Sequence, residues 1–324
     1  MELVEKMLGG EQLALARLMT VVERDSPEVP EVMKLIHPHT GRAYFVGITG
    51  PPGAGKSTVV DRLTAVFRKK GLSVGILAVD PTSPFTGGAV LGDRIRMQQH
   101  YLDSGVFIRS MATRGSRGSL PRAARGAMKL LDAFGKDVVI LETVGVGQTE
   151  LDIMEAVDTV TVILVPEAGD SIQTMKAGLM EIADIFVVNK ADRGGAEYLI
   201  HEIEAMLHMS PRQAVWQVPV MAAQAVNNIG IEELAQAMEQ HRKALEESSQ
   251  LASRRKEQRR AEFLHSIEQR IRDRLVKVIA GDGQLTSSLE KVEKGELDPY
   301  SAASEILRSQ ALIHGWLAGV EKGS

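Results

Sequence analysis

Seven short apolar runs through the middle of the 324-residue chain constrain its fold more than any other feature. They are AYFVGIT (43–49), SVGILAV (73–79), GVFIRSM (105–111), DVVILET (137–143), TVTVILV (159–165), DIFVVNK (184–190) and QVPVMAA (217–223). Each is rich in Val and Ile and nearly continuous in apolar character, as strands buried on both faces must be. Amphipathic stretches separate them, which implies right-handed crossovers, an α/β class and a mostly parallel sheet. Ahead of the runs, Leu13, Ala16, Leu18 and Val22 recur at helical intervals, and Pro30 opens a second short pattern through Ile36. Past about residue 245 the strand signal stops. Leu264, Ile267, Ile271, Leu275 and Val278 then mark one face of a helix. Gly281 and Gly283 end it, and further helices are expected toward Leu317. The pattern divides the chain into an N-terminal helical extension (1–40), an α/β domain (41–245) and a C-terminal helical segment (246–324).

The stretch GITGPPGAGKST (47–58) joins the first run to a helical pattern. Gly50, Gly55, Lys56 and Ser57 fit G-x-x-x-x-G-K-[ST] between strand and helix. In that context the backbone N–H groups of Gly53, Ala54, Gly55, Lys56, Ser57 and Thr58 cradle nucleotide phosphates at a helix N-terminus. Lys56 supplies charge to the β- and γ-phosphates, and Ser57 a hydroxyl ligand for magnesium. The metal also needs carboxylates. Asp80 ends the second run and Glu142 the fourth, both at strand C-termini, where an open α/β sheet builds its site. Asp93 lies in PTSPFTGGAVLGDR, whose Gly, Pro, Ser and Thr content suits a loop that nucleotide orders. Glu142 is the clearest of the three, because a carboxylate ending an apolar strand is costly unless something pairs it.

Directly after the sixth run, VVNKAD places Asn189, Lys190 and Asp192 in N-K-x-D. The Asp192 carboxylate would accept hydrogen bonds from the ring N–H and exocyclic amine of guanine. Adenine offers neither donor there and would leave the charge unpaired, a cost of several kcal/mol in general. A phosphate loop followed by this base motif predicts a magnesium-dependent GTPase.

Composition removes other classes. A net charge of -4 argues against nonspecific binding of nucleic acid or anionic membrane. With no cysteine, disulfides, thiol chemistry and cysteine metal ligands are excluded. The acidic start, broken by Gly-Gly, predicts no secretion signal, and no run reaches the ~18 apolar residues of a membrane span. The expected location is the cytoplasm. His37 and His39 in HPHTG read as a turn before the first strand, and SRRKEQRRAEF as a solvated helix face. A nickel-insertion GTPase would share the core chemistry, but such proteins carry Cys- or His-rich metal sites. A small-molecule kinase would need an acceptor pocket that no motif provides, and a pure scaffold would not need three carboxylates beside a phosphate loop.

GITGPPGAGKST, AVDPTSPFTGGAVLGDRIRM, ILETVGVGQTE, GDSIQTMKAG and VVNKAD resemble the MeaB/ArgK family of P-loop GTPases, and HTGRAYFVG and DPYSAASEIL extend the resemblance over nearly the whole chain. It implies a P-loop NTPase fold flanked by N-terminal helices and a C-terminal helical dimerisation arm, hence a homodimer. It further implies a G-protein chaperone of an adenosylcobalamin-dependent acyl-CoA mutase, chiefly methylmalonyl-CoA mutase. Such a chaperone gates cofactor loading and protects the mutase, which in turn accelerates GTP hydrolysis. GTP or GDP and Mg²⁺ are then the bound groups, cobalamin is not held directly, and the cobalamin adenosyltransferase is a further partner.

By the same resemblance Asp80, Asp93 and Glu142 join Ser57 around magnesium, residues 81–100 form a first switch and 143–155, with Gly145, a second. A third switch matches PEAGDSIQTMKAG, where Asp170, Gln173 and Lys176 signal to the partner and Arg96 bridges switch and partner. Gln148 in GVGQTE is the nearest group to orient the attacking water, but its spacing from Gly145 departs from the Ras pattern, so hydrolysis is expected to be slow until a partner contributes. The chain departs from related sequences twice. VMAAQA stands where guanine GTPases often have Ser-Ala, leaving Ala222 and Ala223 to present N–H groups to the base, and RGSRGSLPRAAR lacks the usual Gly-Gly-Leu.

Overall fold

A computed structural model describes residues 2–80, 98–100, 102–112, 122–143, 153–166, 181–209, 215–281 and 283–308. All seven runs form strands: β1 (Tyr44–Thr49), β2 (Val74–Asp80), β3 (Val106–Ala112), β4 (Val138–Thr143), β5 (Thr159–Leu164), β6 (Ile185–Val188) and β7 (Val220–Ala222). They make one sheet in the order β3-β2-β4-β1-β5-β6-β7, with every neighbouring pair parallel. The strand that leads into the phosphate loop is therefore central, between β4 and β5. The direction of connection reverses around it, which opens a ligand crevice at the strand C-termini.

The helices described are α1 (Glu2–Leu8), α2 (Gln12–Glu23), α3 (Val29–Ile36), α4 (Lys56–Lys69), α5 (Arg122–Ala133), α6 (Ala196–Met209) and α7 (Ile231–Glu247), followed by α8 (Gln250–Gly281), α9 (Gly283–Glu293) and α10 (Pro299–Arg308). Two cores sandwich the sheet. On one face Leu77, Leu141, Val162 and Phe186 meet α1, α2, α3, α5 and α6. On the other, Ile48, Ile76, Ile140 and Ile163 meet Val59, Val60 and Leu63 of α4 and Leu234 and Met238 of α7.

The N-terminal helices thus complete the domain core instead of standing apart from it. Met7, Leu15, Leu18 and Met19 are buried in the same cluster as Leu77 and Leu131. Leu13, expected on the buried face, is 56% exposed. The buried stripe of α2 is Ala14, Leu15, Leu18, Met19 and Val22, which keeps Leu18 and Val22 of the expected spacing and takes Ala14 and Leu15 in place of Leu13. Arg109 on β3 holds the end of α2, donating to Glu23 Oε1 at 3.0 Å and to the Thr20 hydroxyl at 3.1 Å.

The chain divides into two compact units, Met1–Arg255 and Lys256–Ser324. The division falls within α8, directly after two arginines that anchor its start. Arg254 donates to both oxygens of Asp184, at 3.2 and 3.1 Å. Arg255 donates to both oxygens of Asp158 at 2.8 and 2.6 Å, and to the carbonyls of Gly41 and Ala43. Those aspartates immediately precede β6 and β5, so the grip is at the end of the sheet opposite the crevice. In the second unit Leu264, Ile267 and Ile271 of the expected stripe of α8 are exposed, as is the neighbouring Phe263. Asp298 caps α10 through the N–H groups of Tyr300 and Ser301, and its bonds with Ser301 hold its carboxyl below the usual range.

Candidate nucleotide site

The phosphate loop runs from the end of β1 to the start of α4. Gly50 has φ +137°, and a Cβ there would lie 2.0 Å from the Ile163 carbonyl oxygen, so only glycine lets the loop leave β1 so close to β5. Gly55 has φ +87°, and a Cβ there would lie 2.4 Å from Nδ2 of Asn189. Lys56 is buried at the first position of α4, and its ammonium donates to the carbonyls of Gly50 at 2.8 Å and Pro51 at 3.0 Å. That draws the charge back across the loop. The helix ladder begins where the Val59 N–H donates to the Gly55 carbonyl, so the turn of Lys56, Ser57 and Thr58 aims its N–H groups out of the helix end. Within the expected cradle, the N–H of Ala54 instead closes the loop on the Pro51 carbonyl at 3.2 Å.

The fold brings Ser57 and Glu142 together. The Ser57 hydroxyl donates to Glu142 Oε1 at 2.7 Å, and both residues are buried. The sheet register explains the meeting: Glu142 stands opposite Ile48, on the face that α4 covers. A hydroxyl and a carboxylate are hard oxygen donors and suit Mg²⁺, which takes one or two protein carboxylates and completes its shell with water and phosphate. Among the described residues no three His, Cys, Asp or Glu side chains cluster as an all-protein metal cage would require. Asp80 ends β2 at the same edge of the sheet, although its side chain is outside the described residues. Asp93, Arg96, Gly145, Gln148, Asp170, Gln173 and Lys176 also lie outside them.

At the base end, Asn189 follows β6 and is buried. Its Nδ2 donates to the Ala54 carbonyl at 2.8 Å, its Oδ1 accepts from the Ala225 N–H at 3.1 Å, and its own N–H reaches the Leu164 carbonyl at 2.8 Å. One side chain thereby joins the phosphate loop to the loop after β7. Lys190 then turns the chain with φ +57°, and Asp192 is left exposed on the turn. The N–H of Ala223 does not point outward as expected. It donates to the Val188 carbonyl at 2.9 Å, continuing the ladder one residue past β7, which leaves only Ala222 of the expected pair.

Two groups have no signal in the motifs. Ala225 binds Asn189 because the chain turns back at Asn228 (φ +58°) and Gly230 (φ +79°). His100 is buried against α4, with Nε2 at 3.3 Å from Asp61 Oδ1 and 3.1 Å from the Asp61 carbonyl, while Gln99 donates to Asp61 Oδ2 at 2.5 Å. Burial opposes ionisation of Asp61, but the bonds from His100 and Gln99 hold its carboxyl below the usual range. The bond to Asp61 in turn raises the His100 imidazole above its ordinary value. The pair ties the end of residues 81–100 to the helix that begins with Lys56. Only the fold brings these residues together.

The family model described as "Methylmalonyl Co-A mutase-associated GTPase MeaB" matches residues 15–280. The chain belongs to the MeaB family. It is, like that family, a GTPase. A protein of Pyrococcus abyssi named as a GTPase is 50% identical over 327 residues, covering 98% of each chain. The mitochondrial methylmalonic aciduria type A homolog of Caenorhabditis elegans is 31% identical and covers 95% of this chain and 82% of that protein. Among solved structures, one titled as an LAO/AO transport system kinase superposes with a TM-score of 0.71 at 30% identity, covering 94% of this chain and 95% of the other. The MeaB-family fold is thus matched along nearly the full length.

Proposed function

We propose that this MeaB-family GTPase is a nucleotide-driven chaperone of an adenosylcobalamin-dependent acyl-CoA mutase, with methylmalonyl-CoA mutase the first choice. The single observation behind the switch reading is Asn189, which joins the phosphate loop to the base-side loop through one buried side chain. Nucleotide held at both ends would lock the crevice into one arrangement for a partner to read. The family description supports the mutase as that partner.

In this reading Lys56 and the first turn of α4 bind the phosphates of GTP, and Asp192 accepts from guanine. Ser57 and Glu142, with Asp80 and Asp93, hold Mg²⁺, which when bound neutralises charge on the β- and γ-phosphate oxygens. Gln148 orients the water that attacks the γ-phosphate, releasing GDP and phosphate. Hydrolysis is slow until the mutase completes the site. Asp170, Gln173, Lys176 and Arg96 carry the nucleotide state to the mutase, and the exposed stripe of α8 pairs two copies of the chain in the cytoplasm. Cobalamin is handled by the mutase, loaded by its adenosyltransferase, and not held by this chain.

Titrating purified methylmalonyl-CoA mutase onto the protein loaded with GDP, and onto the same protein with a non-hydrolysable GTP analogue, tests the proposal. The expected result is binding whose affinity differs between the two nucleotides. No binding in either state would contradict it.

A further inference from the structure

Ile48 opposite Glu142 is the last register pair between β1 and β4. One residue on, each strand ends in a threonine, Thr49 and Thr143. The Thr143 hydroxyl donates to the Thr49 hydroxyl oxygen at 2.9 Å, and the two residues are 2% and 0% exposed. Strand alternation sends them to the face opposite Glu142. Ile48 and Ile140 lie in the core that α4 covers, while Leu141, Val79 and Val162 lie in the other. Val79 is opposite Thr143, and Val162 opposite Thr49. Glu142 thus reaches Ser57 on one side of the sheet while Thr143 grips Thr49 on the other.

Packing alone does not call for hydroxyls at these positions. The neighbours in register are valines, and a pair of valines would fill the same volume without the cost of burying two hydroxyls. What the hydroxyl bond adds is a fixed separation at the strand tips. Gly50 leaves β1 immediately after Thr49 to start the phosphate loop, and Thr143 immediately follows Glu142. The backbone ladder between β1 and β4 ends at this level, and the side-chain bond carries the pairing one residue further.

We propose that Thr49 and Thr143 are positioning residues, a strand-end clamp that sets the phosphate loop against the tip of β4 so that the Ser57 hydroxyl meets the Glu142 carboxylate. The clamp acts through Ser57 and Glu142, and it rests on the reading of that pair as magnesium ligands.

The test measures affinity of the full chain for a fluorescent GDP, once in excess EDTA and once in Mg²⁺. The ratio of the two reports what the metal contributes. Thr143→Val and Thr49→Val should each lower that ratio about tenfold, the usual effect of losing a group that orients a ligand, with affinity in EDTA unchanged. Thr143→Ser keeps the hydroxyl and should restore the ratio. Thr49→Val/Thr143→Val should be no worse than either single change, because both remove one bond. Equal losses in Thr143→Val and Thr143→Ser, equal losses with and without Mg²⁺, or additive losses in the double variant would overturn the clamp and leave a packing role. Glu142→Gln separates the two readings. An unchanged ratio in Glu142→Gln sinks the metal reading and the clamp with it. A fall in Glu142→Gln beside an unchanged ratio in Thr143→Val sinks the clamp alone.

Discussion

Asp192 is exposed on its turn, where its carboxylate is available to donors of a base, while Asn189 beside it is buried in the joint between loops. The two residues of one tetrapeptide therefore do different work. Asp192→Asn should exchange an acceptor for a donor and weaken GTP about a hundredfold or more, with a relative gain for xanthosine triphosphate, whose carbonyl would accept the new N–H. Competition binding of the two nucleotides checks this, and intact GTP preference would refute the base reading. A stability change is expected at Thr161, fully buried in β5, whose hydroxyl has no hydrogen-bond partner among the described residues. Thr161→Val removes that orphan at equal volume and should stabilise the protein by about 1 kcal/mol, read by denaturant melts. Residues such as Lys56, Ser57 and Glu142 were legible because local spacing and strand ends place them. Ala225, Thr49 and His100 were not, since their roles depend on partners 36, 94 and 39 positions away.

Elements were read well where burial leaves one option. All seven runs are strands of one parallel sheet; the inner strands are buried, as a run apolar on both faces requires, while β3 and β7 at the sheet edges are only partly so. Helix faces were harder, since the face of α2 that buries Leu18 and Val22 leaves Leu13 exposed. The Gln98–His100 turn carries a prediction at this scale, because its imidazole is bound to Asp61 of α4. His100 is raised in the folded state, so its contribution is complete below the ordinary histidine range and fades as pH rises through the folded value. Asp61 is lowered, so its contribution stands above the ordinary carboxylate range and is lost as pH falls through its folded value. Burial lowers His241, and its protonation therefore costs stability as pH falls below the ordinary histidine range. That opposing trend makes the difference between proteins the useful quantity. His100→Asn should melt about 2–4 °C below the parent at pH ~6, with the gap closing toward pH ~9. A gap independent of pH would show that His100 contributes by packing alone.

At the scale of the molecule, the N-terminal helices belong to the sheet's own core, and the second compact unit begins at Lys256. The sequence marked a change of pattern near residue 245 but could not show that Arg254 and Arg255 anchor the start of α8 on Asp184 and Asp158. The exposed stripe of α8 gives the proposed dimer a direct test. Ile267→Asp with Ile271→Asp should convert a dimer to a monomer by sedimentation while leaving GDP binding unchanged, and an unaltered mass would place dimerisation elsewhere. The proposed role is that of a GTPase whose chemistry serves a partner. Its most direct test is the rate of GTP hydrolysis by the purified protein, alone and with an adenosylcobalamin-dependent acyl-CoA mutase, with ATP as control. Slow GTP hydrolysis that rises about tenfold or more with the mutase, beside negligible ATP hydrolysis, is the predicted result. ATP consumed as readily as GTP, or a GTP rate the mutase does not change, would contradict it.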